Sequence, residues 1–267
     1  MNQIGFIGIG NMGGALAQAV SRTIPGKYIL VSSRTRAHAE AFAEENFFTP
    51  MDNAQLAQEA DVIFLGVKPH QIAGLLTELS PILAQREKPY LLVSMAAGVQ
   101  CSQMEALLDG TPHLIRIMPN TPVLVDAGAI PYCPGRYATG ADVEILLSLL
   151  ESGGTLTELP EALMDAAASV SGCGPAFVYP FIEAMADAGV ACGLPRALAM
   201  ELATQTVIGA GEMVKQTQQH PASLKDAVCS PGGSTIAGVC ALEEYGLRNA
   251  VQKAVLAAYD RNRQLGK

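Results

Sequence analysis

Short apolar runs alternate with helical patterns through the first 160 residues, and only helical patterns follow. A run of four to eight apolar residues bounded by turn residues is typical of a strand that is buried on both faces of a sheet. The predicted strands start at Ile4 and cover 27–31, 61–67, 90–94, 113–118 and 155–159. Predicted helices start at Ala15 and Ile72 and cover 37–45, 53–60 and 143–150. This alternation predicts an open, doubly wound parallel sheet.

Beyond residue 160 the predicted helices cover 162–170, 176–191, 195–217, 224–228, 234–244 and 247–263. We therefore predict an α/β chain with a Rossmann-type domain at 1–160 and an all-helical domain at 161–267. The helix at 197–216 is apolar or small nearly all round, with Glu201, Glu212 and Lys215 as its only charges. A helix with so little polar surface is usually buried on several sides, so we expect a homodimer that uses these helices.

The first predicted strand passes into its helix through Gly8-x-Gly10-x-x-Gly13. In a dinucleotide-binding turn, Gly8 makes the tight turn, Gly10 lets the backbone approach a pyrophosphate, and Gly13 allows close packing of helix on strand. The phosphates then lie at the helix N-terminus. The alternative is a glycine-rich turn in some other α/β protein, but the position between a strand and a helix favours a dinucleotide site.

The residue that reads the adenosine ribose is expected about 20 residues after these glycines, where an acidic residue would bind the 2′-hydroxyl of NAD. Here Ser33 and Arg34 stand instead, with Arg36 close behind. A hydroxyl and a cation suit a 2′-phosphate, so we expect NADPH, with NADH possible. The alternative is a solvated helix start with incidental arginines.

Further loops follow the later predicted strands, at 68–71, 95–98 and 119–122. In an open parallel sheet, ligands bind outside the carboxyl ends of the strands, so we expect these loops to border one crevice. The small residues Ala96 and Ala97 suit a place where a flat nicotinamide lies against backbone. They are equally consistent with a simple tight turn.

A second stretch with chemical content is Ser-Pro-Gly-Gly-Ser-Thr at 230–235, between two predicted helices. Its glycines leave backbone N–H groups free to converge, and the following helix presents its positive dipole end, which favours a small anion. The same sequence is also a common helix-to-helix turn with a capping residue.

Composition narrows the class of protein. The net charge is −8 with dispersed Lys and Arg, so we expect no nucleic-acid partner. We find no apolar stretch long enough to span a bilayer and no leader-like segment, so we expect a cytoplasmic protein that does not enter the membrane. The six cysteines are scattered without metal-ligand spacing, so we expect reduced, mostly buried thiols, with neither a metal site nor a disulfide framework.

Several short motifs follow one another in a fixed order along the chain. They are Gly-x-Gly-Asn-Met-Gly at 8–13, Val-Lys-Pro at 67–69, Met-Ala-Ala-Gly at 95–98, Arg-Ile-Met-Pro-Asn-Thr-Pro at 116–122, Ser-Gly-Cys-Gly-Pro-Ala at 171–176, the run 183–189 and above all the run 224–239. By these motifs the chain resembles the pyrroline-5-carboxylate reductase family over essentially its whole length. Two departures are Cys173, where the family often has serine, and Ala227, where an asparagine can stand.

The resemblance implies NAD(P)H-dependent reduction of the C=N bond of 1-pyrroline-5-carboxylate to L-proline, the last step of proline biosynthesis. It implies that the substrate carboxylate and ring nitrogen are bound by Ser230, Gly233, Ser234 and Thr235, and that Glu161 lies near the bound product. It implies a cofactor site formed by Gly8, Gly10, Asn11, Met12, Ser33, Arg34, Asn53, Val67, Lys68, Pro69, Ala96 and Ala97. It also implies a dimer with intertwined helical domains, often assembled further into a ring of dimers.

Reduction of an imine needs a hydride, a proton for nitrogen and a grip on the carboxylate, so positioning supplies most of the catalysis. Thr235 is our candidate for the catalytic proton donor.

Two other functions stay open. A β-hydroxyacid dehydrogenase would need a catalytic lysine early in the helical domain, but no lysine lies between Lys88 and Lys215. A regulatory NADP-binding protein would be expected to lose the 230–235 loop, which is intact.

Overall fold

The computed structural model describes residues 3–265, so the outermost residues of both predicted domains lie outside it. Its strands are β1 (Ile4–Ile7), β2 (Ile29–Ser32), β3 (Thr49–Pro50), β4 (Val62–Leu65), β5 (Leu91–Ser94), β6 (His113–Ile117), β7 (Gly128–Pro134) and β8 (Gly154–Glu158). They form one sheet in the order β3-β2-β1-β4-β5-β6-β7-β8. Neighbouring strands from β3 to β6 run parallel, and in register Ile4 lies between Ile29 and Val62.

Seven α-helices accompany the sheet: α1 (Asn11–Val20), α2 (Arg36–Asn46), α3 (Asn53–Glu59), α4 (Ile72–Ala84), α5 (Cys101–Glu105), α6 (Gly140–Leu150) and α7 (Met164–Ala167). Two apolar layers form, one on each face of the sheet. One layer joins Phe6 and Phe64, stacked with ring centroids 4.6 Å apart, to Leu16 of α1. The other joins Ile63 to Leu56 of α3 and Leu76 of α4. The predicted doubly wound sheet is thereby confirmed.

The predicted sheet is wrong in one respect, because it is not parallel throughout. β7 was not predicted, and it pairs antiparallel with β6 and parallel with β8. Pro131 and Pro134 lie within β7, and proline argues against a central strand because it donates no ladder hydrogen bond. The chain returns from β6 through the short 3₁₀ segment Thr121–Val125 without a crossover helix, and such a connection favours an antiparallel neighbour.

Two smaller differences also concern strands. The stretch predicted as a strand at 27–31 begins with a 3₁₀ turn at Gly26–Tyr28, so β2 starts only at Ile29. The edge strand β3 has just two residues and gives no periodic signal.

The remaining helices are α8 (Gly174–Ala191), α9 (Arg196–Thr217), α10 (Pro221–Ala227), α11 (Ser234–Glu244) and α12 (Leu247–Leu265). Helices α8 and α9 pack on each other through small residues, and Ala186, Ala199 and Ala203 are buried between them. No strand occurs after Glu158 in the described residues. The predicted switch from a mixed to an all-helical chain is therefore confirmed.

The chain divides into two compact units, one up to Cys173 with the last turns of α12 from Ala258, and the other Gly174–Ala257. The predicted boundary after residue 160 falls just past the end of β8. The segment that follows still packs on the sheet unit, because Met164 and Ala168 are buried in its second apolar layer. Asn262 of α12 adds a hydrogen bond to the Ser169 hydroxyl, 3.1 Å away.

Searching the described residues for a helix that is both long enough and apolar enough to cross a membrane returns none.

Candidate functional site

The turn from β1 into α1 has the geometry that its three glycines predict. Gly8 has φ of +92°, and its N–H donates to the Ser32 carbonyl at 2.9 Å. A Cβ on Gly13 would lie 2.0 Å from the Gly8 carbonyl oxygen, so only glycine fits between helix and strand. A Cβ on Gly10 would meet nothing within 4 Å, because Gly10 borders open space. Helix α1 has no side-chain cap, which leaves its first N–H groups available to an anion.

A cavity of about 670 Å³ lies beside this turn, at the carboxyl ends of β1, β2 and β4. Its volume is within the usual range for a cofactor site. Of the residues predicted to bind the cofactor, it brings together Gly8, Gly10, Ser33, Arg34, Asn53, Val67 and Lys68. The structure therefore places the glycine turn and the expected ribose-reading residues at one cavity.

The corner of the cavity after β2 carries polar and cationic groups. The Ser33 hydroxyl and His38 Nδ1 are 3.2 Å apart, and both residues line the cavity with Arg34. The Ser32 hydroxyl donates to Asn53 Oδ1 at 2.6 Å, which fixes this amide and leaves its N–H₂ as the donor. Arg34 forms no ion pair among the described residues, whereas Arg36 pairs with Glu40 one turn along α2. This corner fits a 2′-phosphate.

Five predicted cofactor residues do not line this cavity: Asn11, Met12, Pro69, Ala96 and Ala97. Asn11 is exposed at the start of α1, while Met12 packs against the first apolar layer. Pro69 begins a 3₁₀ turn whose Gln71 Oε1 accepts the Lys68 N–H at 3.1 Å, so its role there is to shape the loop. Ala96 is buried directly after β5, and its N–H donates to the Ser94 hydroxyl.

Nine further residues that were not predicted to bind the cofactor also line the cavity, and of these only His70 and Gln71 lie in a loop expected there, at 68–71. The nine are Ile7, Ile9, Thr35, His38, Gly66, His70, Gln71, Leu75 and Glu78. His38 lies in the first turn of α2, directly after the ribose-reading residues, so the predicted helix at 37–45 could have indicated it. The residues from His70 to Glu78 lie on a 3₁₀ turn and on α4, and no residue-type signal in the sequence marks which face of α4 borders the cavity.

The 230–235 stretch forms a tight turn followed directly by α11. The Gly233 N–H donates to the Ser230 carbonyl at 3.0 Å, and Gly232 has φ of +67°. Pro231 and Gly232 thus occupy the two central positions that favour a type II turn. A Cβ on Gly233 would lie 2.4 Å from the Ser230 hydroxyl and 3.1 Å from the Ser230 carbonyl oxygen, so a side chain here would displace that hydroxyl.

The same loop leaves its donors free. Helix α11 begins at Ser234 with extended backbone at Gly233 and no side-chain cap. The side chains of Ser230, Ser234 and Thr235 are exposed. The structure thus brings the four predicted loop residues together around an uncapped helix N-terminus, which is the arrangement an anion requires.

Glu161 belongs to the sheet unit and lies at the start of a 3₁₀ turn. Its Oε1 accepts the backbone N–H of Cys101 at 2.7 Å and faces Arg116 Nη1 at 3.4 Å. The contact with Cys133, burial and the Glu161 carboxylate raise the pKa of the Cys101 thiol. Glu161 does not line the dinucleotide cavity, and its expected proximity to the product stays a prediction.

The fold and the cavity define a dinucleotide-binding oxidoreductase. Residues 3–98 match the family described as "NADP oxidoreductase coenzyme F420-dependent", and residues 161–265 match "Pyrroline-5-carboxylate reductase dimerisation". Pyrroline-5-carboxylate reductases of Methanosarcina acetivorans and Escherichia coli are each 40% identical to the chain, covering 99% of it and 98% of the relative. The chain therefore belongs to the pyrroline-5-carboxylate reductase family.

Solved structures agree with this assignment. The crystal structure of Plasmodium falciparum pyrroline carboxylate reductase with NADP bound has a TM-score of 0.89 and 33% identity, and the match covers 100% of this chain and 98% of that one. The structure of a pyrroline-5-carboxylate reductase from Coxiella burnetii has the same TM-score and identity. Both matches extend over the sheet unit and the helical unit, so the resemblance stated from the motifs is confirmed.

Proposed function

We propose that this chain reduces the C=N bond of 1-pyrroline-5-carboxylate to give L-proline, with NADPH as the hydride donor. The observation that carries the proposal is the joint presence of a dinucleotide cavity and an uncapped anion-binding loop in a chain 40% identical, over 99% of its length, to named pyrroline-5-carboxylate reductases. The reaction needs a hydride donor, a proton donor and groups that orient the substrate. We assign binding of the hydride donor to the cavity residues, and the other two functions to the 230–235 loop.

The residues at the cavity fit a dinucleotide with a 2′-phosphate. The open space at Gly10 and the uncapped start of α1 receive the pyrophosphate, and Ser33 and Arg34 receive the 2′-phosphate. When bound, the nicotinamide supplies the hydride. Asn11, Met12, Pro69, Ala96 and Ala97 lie outside the lining of this cavity, and their contacts with the cofactor stay predictions. NADH lacks the 2′-phosphate, so it should bind more weakly.

The 230–235 loop binds the substrate carboxylate. The first N–H groups of α11 and the hydroxyls of Ser230 and Ser234 are the donors, and Gly233 holds the turn that positions them. A hydrogen bond to a charged group contributes about 1.5–3 kcal/mol. Binding through the carboxylate therefore fixes the imine carbon and nitrogen in one orientation.

Thr235 follows Ser234 in the first turn of α11, and we assign its hydroxyl the delivery of a proton to the ring nitrogen. An imine nitrogen is basic enough to be partly protonated in water, so a neutral hydroxyl suffices and a strongly activated acid is not needed. Glu161 has its carboxylate engaged by Cys101 and Arg116, and its contribution to substrate binding stays a prediction.

We further propose that the chain functions as a homodimer, or as a ring of dimers. Among the described residues of the helical unit, only small alanines are buried, and large apolar side chains such as Leu202, Ile208 and Met213 are half exposed. A surface of this kind on a monomer is rare unless a partner covers it. A cytoplasmic location and the absence of a nucleic-acid partner stay predictions from composition.

The test is the loss of reduced nicotinamide absorbance when protein and NADPH receive 1-pyrroline-5-carboxylate, compared with 1-pyrroline in a parallel reaction. We expect rapid turnover of the first and a kcat/KM for 1-pyrroline lower on the order of 10- to 100-fold, because it lacks the carboxylate. Equal efficiency would contradict the anion site. No turnover of either imine would contradict the proposed reaction itself.

A further inference from the structure

Two buried thiols and a carboxylate meet behind the loop that follows β5. The Sγ atoms of Cys101 and Cys133 are 4.0 Å apart, and these side chains are 4% and 2% exposed. An oxygen of Glu161 completes the group, with all three ligand atoms within 4.8 Å of one another. Nothing in the proposed reduction of an imine uses either thiol.

The separation of the two sulfur atoms is close to that of two thiolates in a tetrahedral metal centre. With zinc–sulfur bonds of about 2.3 Å, two thiolates on one Zn²⁺ lie roughly 3.8 Å apart, close to the separation observed. Soft thiolates favour Zn²⁺ over magnesium or calcium, and a carboxylate is an accepted third ligand. A disulfide between the same cysteines would not involve the Glu161 carboxylate, whereas a bound cation would be coordinated by all three side chains.

We propose that Cys101, Cys133 and Glu161 bind one Zn²⁺ ion, with water as the fourth ligand. A cavity of about 440 Å³ is lined by Cys101 and Glu161, which gives the ion a path in and leaves room for the water. This departs from the expectation of reduced, mostly buried thiols without a metal. That expectation is also wrong on burial, because only Cys101 and Cys133 are buried, whereas Cys192 and Cys240 are exposed. No motif in the sequence marks this site, because the ligands stand at 101, 133 and 161, with none of the short spacings of zinc motifs.

The surroundings supply the support that bound metals usually have. Glu161 Oε1 already accepts the Cys101 N–H at 2.7 Å, which orients the carboxylate. Arg116 is a nearby cation and would oppose a metal on its own. Its charge is shared between Glu161 and Asp165, at 3.4 Å and 3.3 Å, so two thiolates and two carboxylates together outweigh one guanidinium and one divalent ion.

The ion would join three segments that are distant in sequence: the start of α5, the strand β7 and the turn that leads into α7. Binding to the folded state alone stabilises a protein by mass action, so the midpoint of thermal unfolding should rise when Zn²⁺ is added to protein prepared with a chelator. The inference concerns the sheet unit and does not depend on the proposed reaction.

The experiment is a titration of the full chain, kept reduced and freed of metal, with Co²⁺ as a spectroscopic substitute for Zn²⁺. We expect one Co²⁺ per chain, with thiolate-to-cobalt charge-transfer absorption that added Zn²⁺ removes. Cys133→Ser should weaken binding by more than the roughly 10- to 100-fold that loss of an outer partner costs. Cys192→Ser, at an exposed cysteine, is the matched control and should bind like the wild type.

Absence of charge-transfer absorption in the wild-type chain would overturn the proposal, and this result requires no variant to fold. The same spectrum in Cys133→Ser, with the fold verified by circular dichroism, would overturn it as well, because the ion would then lie elsewhere. If Cys133→Ser fails to fold, Cys101→Ser replaces it in the comparison. Turnover of the imine is measured separately, so failure here leaves the proposed function standing.

Discussion

Arg34 and Arg36 carry the same guanidinium group but differ in what lies beside it. Arg34 lines the dinucleotide cavity together with Ser33 and forms no ion pair among the described residues. Arg36 has the same chemical type as Arg34, yet it is paired with Glu40. The sequence alone does not distinguish the two arginines. Arg36 is the first residue of α2 and can reach Glu40 one turn along, whereas Arg34 precedes the helix.

Replacing Arg34 by alanine tests the assignment of the 2′-phosphate site. Loss of a charge-assisted hydrogen bond costs about 1.5–3 kcal/mol, so KM for NADPH should rise on the order of 10- to 100-fold while KM for NADH stays nearly constant. Steady-state kinetics with both cofactors measures this. Lys88→Ala, at an exposed cation that lines a different cavity, is the control and should leave the ratio unchanged. Equal effects of Arg34→Ala on both cofactors would argue against a phosphate contact.

Replacing Thr235 by alanine tests the proton donor. We expect kcat with 1-pyrroline-5-carboxylate to fall on the order of 10²-fold, the lower end of what general acid catalysis contributes, with KM changed much less. Thr235→Ser keeps the hydroxyl and should restore most of the lost turnover. Near-normal kcat in the alanine variant would show that the proton comes from elsewhere.

At the scale of elements, the strands buried on both faces and the long helices were predictable from the sequence, because continuous apolar runs and helical periodicity both carry strong signals. The β1-to-α1 turn was predictable as well, since three glycines at fixed spacing satisfy three separate steric needs. Strand β7 was not, because its prolines and its antiparallel pairing are set by the neighbouring strands. Glu161 likewise depends on tertiary contacts with Cys101 and Arg116.

Gly13→Ala tests the close packing of α1 on β1. Its Cβ would lie 2.0 Å from the Gly8 carbonyl oxygen, so the helix must move, which costs typically 1–3 kcal/mol of unfolding free energy, about the cost of overpacking. The same shift should weaken NADPH binding. Gly74→Ala, in α4 with nothing within 4 Å, should keep or slightly raise stability. Denaturant unfolding and NADPH titration measure both effects; equal behaviour of the two variants would refute the packing role.

At the scale of the whole molecule, the two compact units differ in how well they bury their apolar residues. The sheet unit encloses two apolar layers, whereas the described part of the helical unit leaves Leu202, Ile208 and Leu256 about half exposed. The sequence indicated this difference through a helix with almost no polar face. It could not indicate which residues a partner covers, because that depends on the shape of a second copy.

The dimer is tested by the mass in solution. Light scattering at micromolar concentration should give at least twice the chain mass of 27.9 kDa. Ile208→Glu places a charge on the apolar surface of α9 and should lower the mass toward that of one chain, because burying an unpaired charge is costly. Gln216→Glu, on the same helix at an exposed polar position, is the control. A monomeric mass for the wild-type chain would contradict the dimer.

The central claim is that hydride passes from the nicotinamide to the imine carbon of 1-pyrroline-5-carboxylate. The most direct measurement is mass spectrometry of the product formed with NADPH that carries deuterium at both positions of nicotinamide C4. Our account predicts L-proline with a single deuterium, located on the ring carbon that was double-bonded to nitrogen. Proline without deuterium, or no proline while NADPH is consumed, would contradict it.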